Sequence, residues 1–440
     1  MRLREFETLD GLLDCFAEHG ARHIYCKFLA ENDNSKQQIY LGKSFEVLQR
    51  LVFGKIRPEA SVKVPNFKAD IPLFWIDGDG RKAIAPGAQL ILYPKYPEVR
   101  LSGFLRGCPL APAAILRPIP KDERRFNNEP DGRVLFFGVS DSSVFAYLAT
   151  AVSPVAVAMR ERMERAGQRD FGTLHEIVLQ EVPDARSLLL ERLREIHRLN
   201  PHPSTKLDRF GNRIVYSARN GGGYTLEALF GIVPNGRSAP DFMGWELKAY
   251  SGSRITLMTP EPDAGYYGAN GVEAFLRKYG RNLPNDVIYF TGSHKVGVPA
   301  KSSGHTLVVV GFDEKSKKIV DVNGGIRLLD EIGEISAEWT YSGLVEQWAR
   351  KHAAAAYVPY EKSLSVPADY RYKTPVFLGE GTEFEMFLKA LADGKIIYDP
   401  APKLERASMK NSKTKARSQF RMGVKDLASL YQKFESVEVV

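Results

Sequence analysis

The stretch that decides the fold is Gly221-Gly222-Gly223-Tyr224-Thr225-Leu226-Glu227, followed by Pro240-Asp241-Phe242-Met243-Gly244-Trp245-Glu246-Leu247-Lys248. Glu246 and Lys248 differ by two positions, so on a strand both side chains leave the same face. That sets a carboxylate and an ammonium group side by side. Asp241 enters from the turn before the strand, behind Pro240, and Glu227 lies on a short helix opened by the glycines. Hydrolysis of a phosphodiester needs a hard divalent ion to neutralise the scissile phosphate and acidify a water, and carboxylates are the ligands Mg²⁺ prefers. Asp241 and Glu246 are therefore the candidate metal ligands, with the Leu247 backbone carbonyl as a further oxygen. Lys248 is suited to orient the attacking water or to stabilise charge on the pentavalent phosphorane.

The pattern alone does not settle this reading. An Asp…Glu-x-Lys arrangement with loose spacing arises about once by chance in a chain of this length. A strand with solvated charges on its outer face would alternate with Trp245, Leu247 and Ala249 equally well. The run Gly221–Gly223 lacks the Gly-Lys-Ser/Thr ending of a P-loop, which argues against a nucleotide; a tight turn under the helix accounts for it.

Context adds what spacing lacks. The whole segment resembles the MvaI/BcnI family of restriction endonucleases, relatives of the MutH nickase in the PD-(D/E)xK superfamily. The residues that carry the resemblance are Gly223-Tyr224-Thr225-Leu226-Glu227, Gly231-Ile232, Asn235, Pro240-Asp241, Gly244 and Glu246-Leu247-Lys248. It continues through Leu257-Met258-Thr259 to Gly381-Thr382-Glu383-Phe384-Glu385, so it covers most of residues 175–440. The resemblance implies that Asp241 and Glu246 bind Mg²⁺ (with Mn²⁺ substituting), that Lys248 serves the water, and that Glu227 supports the site.

Further along, Lys403, Arg406, Lys410, Lys413, Lys415, Arg417, Arg421 and Lys425 form a basic run in which Glu405 is the only acid. Such a run is often a solvated surface, but apolar periodicity returns from Met422 to Tyr431, so it is not a frayed end. The resemblance places it in a lobe that reads the major groove. Arg417 and Arg421 suit guanine, although either could contact phosphate only, Gln419 suits adenine, and Lys413 and Lys415 are further candidate DNA contacts. Where the family carries a His-containing motif, this chain has Lys415-Ala416-Arg417-Ser418-Gln419 before Phe420-Arg421. His294 and His305 read as turn or core residues.

Upstream, residues 22–150 read as mostly β, with short apolar stretches at Ile39–Leu41, Leu73–Ile76, Leu90–Tyr93 and Val134–Val139. Asp77-Gly78-Asp79-Gly80 is a hairpin-type turn signal without the remaining ligands of a calcium loop. Ile24-Tyr25-Cys26-Lys27-Phe28-Leu29-Ala30-Glu31-Asn32-Asp33, with Gln38-Ile39-Tyr40-Leu41, resembles the start of the EcoRII effector domain, a DNA-binding pseudobarrel. On that likeness the segment Tyr93 to Arg100 becomes a candidate DNA loop, with Lys95, Arg100 and Arg106 as contacts. Tyr93 and Tyr96 fit simple packing as well.

Composition bounds the rest. A net charge of +8 favours an anionic partner. Three scattered cysteines, Cys15, Cys26 and Cys108, fit a reducing cytosol and carry no CxxC pair. No long apolar run suggests a membrane span, and Met1 to Asp10 lacks an apolar secretory core.

The expected organisation is a β-pseudobarrel DNA-binding domain over 1–152, a linker over 153–174 with a hinge at Gly167–Gly172, and a mixed α/β nuclease over 175–440. Helices are expected at Pro154–Arg165, Pro183–Arg198, Thr225–Phe230, Val272–Tyr279, Gly343–His352 and Glu383–Ala392, the last with Thr382 as N-cap and Glu385 completing a capping box. Strands are expected at Met243–Tyr250, Ile255–Met258, Val287–Phe290, Leu307–Phe312 and Lys318–Val322. The functional expectation is an effector-activated, type IIE-like restriction enzyme acting on duplex DNA as a monomer, with two DNA sites bound at once. A short GC-rich target such as CCNGG or CCWGG, a cognate DNA methyltransferase and a bacterial or archaeal cytoplasm follow from the same resemblances. The alternatives are a MutH-like nicking or modification-dependent endonuclease, and a catalytically inactive DNA-binding regulator.

Overall fold

The computed structural model describes residues 4–43, 45–96, 98–126, 129–165, 170–177, 184–218, 220–234, 241–351 and 354–440. Pro97, Gly167, Pro183, Asn235, Pro240 and His352 lie outside these residues. Contacts divide the chain into two units, Met1–Val182 and Pro183–Val440.

The first unit holds a seven-stranded and a five-stranded sheet. The larger is organised by the His23–Ala30 strand, antiparallel to Pro130–Val139, which in turn pairs with Val144–Ala149. Val134–Val139 and Val144–Ala149 are buried throughout and most of His23–Ala30 with them, and the helices Leu9–Glu18 and Pro154–Arg165 pack against this core with Leu12, Phe16, Val155, Ala156 and Met159. The smaller sheet runs Gln38–Gly42, Glu98–Ser102, Gln89–Tyr93, Asn66–Asp70, Arg57–Glu59. The Asp77–Gly80 turn joins two antiparallel strands. Buried Asp77 accepts the backbone N–H groups of Asp79 and Arg81 and the Arg81 guanidinium, so its carboxylate is spent inside the turn. Of the segment 153–174, expected as a linker, residues 153–165 and 170–174 are instead built into this unit. Its helix supplies core residues, and Leu174–Glu176 adds a strand to His23–Ala30.

The second unit is centred on a sheet of His202–Pro203, Asp369–Tyr372, Ala354–Lys362, Val376–Glu380 and Lys433–Val437, with Trp245–Tyr250 parallel to Ala354–Lys362. Leu189, Leu193 and Ile196 of the Ala185–Arg198 helix pack on one face of it, beside Leu226 and Leu229 of the Gly221–Leu229 helix. Leu188, expected on the buried face, is only half-buried. Five smaller sheets, two of them simple hairpins, and the helices Gly265–Tyr279, Tyr341–Lys351 and Phe384–Ala392 complete the unit among the described residues.

Several local expectations change for identifiable reasons. Gly271, at φ 81°, kinks the Gly265–Tyr279 helix, so apolar periodicity revealed only its second half. Gly311, at φ 79°, ends the Thr306–Val310 strand before Phe312, and Lys318–Ile319 is all that pairs of the strand expected there. The Phe384–Ala392 helix is capped at Glu383, one residue beyond Thr382, and no capping box forms. Thr382 Oγ1 and Glu385 Oε1 are buried without hydrogen-bond partners, and burial, with Glu383 nearby, pushes the Glu385 carboxyl up to about 7. Gly394, at φ 70°, ends the helix as expected.

Candidate active site

The glycine run is not a turn beneath a helix but the first turn of the helix itself, Gly221–Leu229. Its glycines are needed for closeness. A Cβ on Gly221 would strike the Tyr370 hydroxyl and Ser204, and one on Gly222 would enter the Tyr360 ring. Tyr372 donates its hydroxyl proton to the Gly222 carbonyl at 2.7 Å, so Tyr372 holds this helix by its backbone while Tyr370 and Tyr360 crowd its glycines.

The strand begins at Trp245 rather than Met243, because Met243 and Gly244 form a two-residue turn with φ of 46° and 90°. Two left-handed residues in succession define a primed turn, which folds the chain back tightly. Phe242 and Trp245 exchange backbone hydrogen bonds of 2.9 and 2.8 Å across it. The reversal lays Asp241 along the strand, where its Oδ2 accepts the Leu247 N–H at 2.8 Å. In extended backbone a residue's N–H and C=O point to the same edge. The Leu247 carbonyl therefore faces the edge where Asp241 sits.

Trp245 and Leu247 join the core under the helices, so Glu246 and Lys248 occupy the opposite face. Glu246 is 5% exposed, and Lys248 Nζ donates to its Oε1 at 2.6 Å. Across the sheet Ala355 and then Gly379 lie in register with Glu246, and Tyr357 with Lys248. The Tyr431 ring rests on Gly379, and its hydroxyl meets that of Tyr357 at 2.7 Å, both rings being buried. Burial, with the Glu246 charge adding to it, holds both phenols protonated. Neither tyrosine was singled out from sequence; the unbroken apolar run Ala354-Ala355-Ala356-Tyr357-Val358 was the signal that could have marked a buried strand.

Glu227 behaves differently. Its helix packs on the face bearing Trp245 and Leu247, and the Glu227 charge acts on Tyr224 and Tyr372. Among the described residues no three His, Cys, Asp or Glu side chains form a group that could hold a metal, so Glu227 does not complete a three-acid site with Asp241 and Glu246. The remaining donors, two carboxylates and a main-chain carbonyl, are all hard oxygens. They fit Mg²⁺, which keeps several waters and needs only one or two protein carboxylates.

The candidate DNA-contacting residues are distributed over both units. Lys413 and Lys415 project from the outermost strand of a four-stranded sheet, in which Arg281, Tyr289, Lys403 and Lys415 fall in one register row. Leu404 on the other face is buried, so the row faces solvent. Arg281 had drawn no attention from sequence. Arg417 is exposed and reaches Gln419 at 3.3 Å, whereas Arg421 is held by Asp399 at 2.7 Å. In the first unit Lys95 and Arg106 are exposed, while Arg100 is engaged by Glu98 and Gln38 beside a polar recess that includes Asn32, Lys36 and Tyr40. Tyr93 receives a hydrogen bond from Gln38, and Tyr96 is exposed. His294 and His305 are core residues; burial lowers both, His294 to about 4. Cys15, Cys26 and Cys108 form no disulfide among the described residues; the first two are buried and Cys108 is half-buried. No helix among the described residues is long and apolar enough to cross a membrane.

Comparison with known proteins bears on the second unit. No curated protein matches the chain. The solved structure of the restriction endonuclease MvaI–cognate DNA substrate complex is 20% identical, covering 59% of this chain and 100% of its own, with a TM-score of 0.46. Restriction endonuclease MvaI in the absence of DNA is 17% identical over the same shares, with a TM-score of 0.33. The sequence profile of the MvaI/BcnI restriction endonuclease family matches residues 190–431. That span is more than half of the chain and includes the helix, the turn and the strand just described: the chain belongs to the MvaI/BcnI restriction endonuclease family.

Proposed function

We propose that the chain is a Mg²⁺-dependent type II restriction endonuclease of the effector-activated, type IIE-like kind. In this reading residues 183–440 are a PD-(D/E)xK nuclease that cuts duplex DNA at a short GC-rich site such as CCNGG or CCWGG. The N-terminal unit is a pseudobarrel-type domain that binds a second DNA site. The observation that carries the nuclease reading is the Lys248–Glu246 contact on the strand that Asp241 grips.

Mg²⁺ bound by Asp241, Glu246 and the Leu247 carbonyl, with Mn²⁺ as a substitute, would neutralise the phosphate and make a bound water more acidic. The protein's own part is positioning. Lys248 presents ammonium protons toward the attacking water and the developing negative charge, where a fixed donor acts more strongly than solvent. Glu246 fixes the lysine rotamer. The neutral Tyr357–Tyr431 pair closes the floor beside them and keeps water from the carboxylate's inner side.

The test is digestion of supercoiled plasmid by the intact chain with Mg²⁺, followed by sequencing of the ends. Discrete cut sites are expected, and none with Asp241→Ala. Accumulation of open circles alone would favour a nicking enzyme, and cutting of methylated plasmid alone a modification-dependent one. Adding a duplex that carries the site should accelerate cleavage of a one-site plasmid. If it does not, the effector reading falls while the nuclease reading stands.

A further inference from the structure

Directly before the Gly221–Leu229 helix, Thr205–Leu207 and Arg213–Val215 form a two-stranded hairpin that pairs with no other strand among the described residues. Arg213, Ile214 and Val215 are all exposed although successive side chains point to opposite faces, so this strand has solvent on both sides. An isolated hairpin is marginal in water, yet this one is pinned at both ends. At its base Thr205 and Thr225 exchange two hydrogen bonds of 3.1 Å, and the Tyr216 ring meets Tyr224 edge-on at 5.1 Å. At its tip Asp208 accepts the N–H groups of Phe210 and Asn212 at 2.8 and 2.9 Å, and Gly211 takes the left-handed conformation the turn needs.

The rigid tip presents an unusual surface. Phe210 is 73% exposed and Val215 71%, and the Arg209 guanidinium lies 4.6 Å from the Phe210 ring centroid. No salt bridge engages Lys206, Arg209 or Arg213 among the described residues, and the one acid of the turn, Asp208, is occupied by backbone N–H groups. Solvated aromatic and apolar side chains on a projecting element mark a binding surface. The three cations Lys206, Arg209 and Arg213 outnumber the one carboxylate, Asp208, and that excess selects a polyanion over an apolar protein partner. The grooves of a duplex offer base edges and sugars for Phe210 and Arg209, and phosphates offer anions for Lys206 and Arg213.

We infer that the Arg209–Phe210 hairpin tip is a groove-probing element that contacts the duplex a few base pairs from the scissile phosphate. This rests on the reading of residues 183–440 as the nuclease. The hairpin is bolted to the helix that packs on the catalytic strand, so it moves with the site. The three-residue strand Thr205–Leu207 carries the tip roughly 10 Å from its anchor at Thr225, which corresponds to about three base pairs along the duplex axis.

The experiment compares the intact parent chain with Arg209→Ala, Phe210→Ala and Asp241→Ala variants on a short duplex carrying the plasmid cut site. Affinity and hydroxyl-radical footprint are measured in EDTA, cleavage in Mg²⁺, and thermal unfolding alongside. The expected result is roughly tenfold weaker binding for each tip variant, loss of protection at a few nucleotides to one side of the cut, and unchanged unfolding. Both substitutions remove exposed side chains, so a structural role would leave the footprint intact. An unchanged footprint and affinity, with Asp241→Ala inactive, overturns the hairpin inference and leaves the nuclease reading standing. Cleavage by Asp241→Ala at the parent rate removes the nuclease reading itself.

Discussion

Lys248 Nζ lies 2.6 Å from Glu246 Oε1 on one face of the Trp245–Tyr250 strand. The small residues beside the pair make this geometry possible. Ala355 and Gly379 continue the row from Glu246 across the sheet, leaving room above the backbone that a larger side chain would fill. Tyr431 uses part of that room and reaches Tyr357, which stands next to Lys248. The lysine is thus directed by a carboxylate from one side and bounded by a phenol on the other.

Lys248→Ala should separate chemistry from binding. Removing the ammonium leaves Glu246 buried without its partner, a loss of about 1–3 kcal/mol in folding stability. Cleavage should fall by about a hundredfold or more, the usual consequence of removing a fixed donor at developing charge, while affinity for duplex in EDTA stays close to the parent's. Single-turnover cleavage beside urea unfolding measures both. Lys248→Arg keeps the charge but not the compact ammonium, and it should restore stability more than rate. Parental cleavage by Lys248→Ala would remove the lysine from the mechanism.

The Met243-Gly244 turn should control activity through Asp241. Nothing lies within 4 Å of a Cβ placed on Gly244, so Gly244→Ala carries only the conformational cost of its φ of 90°. For an L residue that is about 1–2 kcal/mol. Relaxation of the turn would shift Asp241 from the Leu247 N–H, so cleavage should fall more than stability predicts. Met243→Asn, which better tolerates a left-handed backbone, should be neutral or slightly stabilising. Equal losses of rate and stability in Gly244→Ala would show that the turn does not position the carboxylate.

Sequence revealed the chemistry at this turn better than the shape around it. The two-residue spacing of Glu246 and Lys248 fixes their common face whatever surrounds the strand, so their contact was legible. That Gly221 and Gly222 sit inside a helix was not, because their role depends on Tyr370 and Tyr360, some 140–150 residues away in the chain. The Thr205–Val215 hairpin carried a readable local signal, since Asp208 and Gly211-Asn212 separate two short runs with β-branched residues. Glu227 shows the opposite limit. Position on the helix was readable, but which face of the sheet that helix covers was decided by Leu226 and Leu229 packing with Trp245 and Leu247.

Stability should respond to pH through two buried groups with opposite signs. Glu385 titrates at about 7 in the folded protein because it is buried, against an ordinary value near 4.5. Between those values the native state holds a proton that the unfolded chain has lost, so stability falls as pH rises through this window, by about 3 kcal/mol in all. His294, lowered to about 4 by burial, does the reverse. The unfolded chain gains a proton below about 6.5 that the native state refuses, so stability falls as pH drops toward 4. Glu385→Gln should remove the first slope and expose the second. Denaturant midpoints from pH 4.5 to 7.5 test it, and parallel curves for parent and Glu385→Gln would show that this carboxyl does not titrate in the window.

The four-stranded sheet with the Arg281, Lys403 and Lys415 row makes the last prediction, in salt dependence. Its outer strand exposes Lys413 and Lys415, and the other face is sealed by Leu404; Glu405 binds Lys403, so Lys413 and Lys415 of the outer strand are left to meet phosphate. Each duplex phosphate neutralised releases close to one counterion, contributing about 0.9 to the slope of log affinity against log salt. Replacing both lysines with alanine should lower that slope by about 1.8 and weaken binding to all duplexes alike, because phosphate contacts carry no sequence information. Arg421→Ala should act otherwise. Its guanidinium is tied to Asp399 at 2.7 Å, so its loss should appear first as reduced stability, with the salt slope little changed. Binding titrations from low to moderate salt, on cognate and scrambled duplexes, distinguish these outcomes. A slope unaltered by the double lysine replacement would mean that DNA lies elsewhere on the nuclease unit.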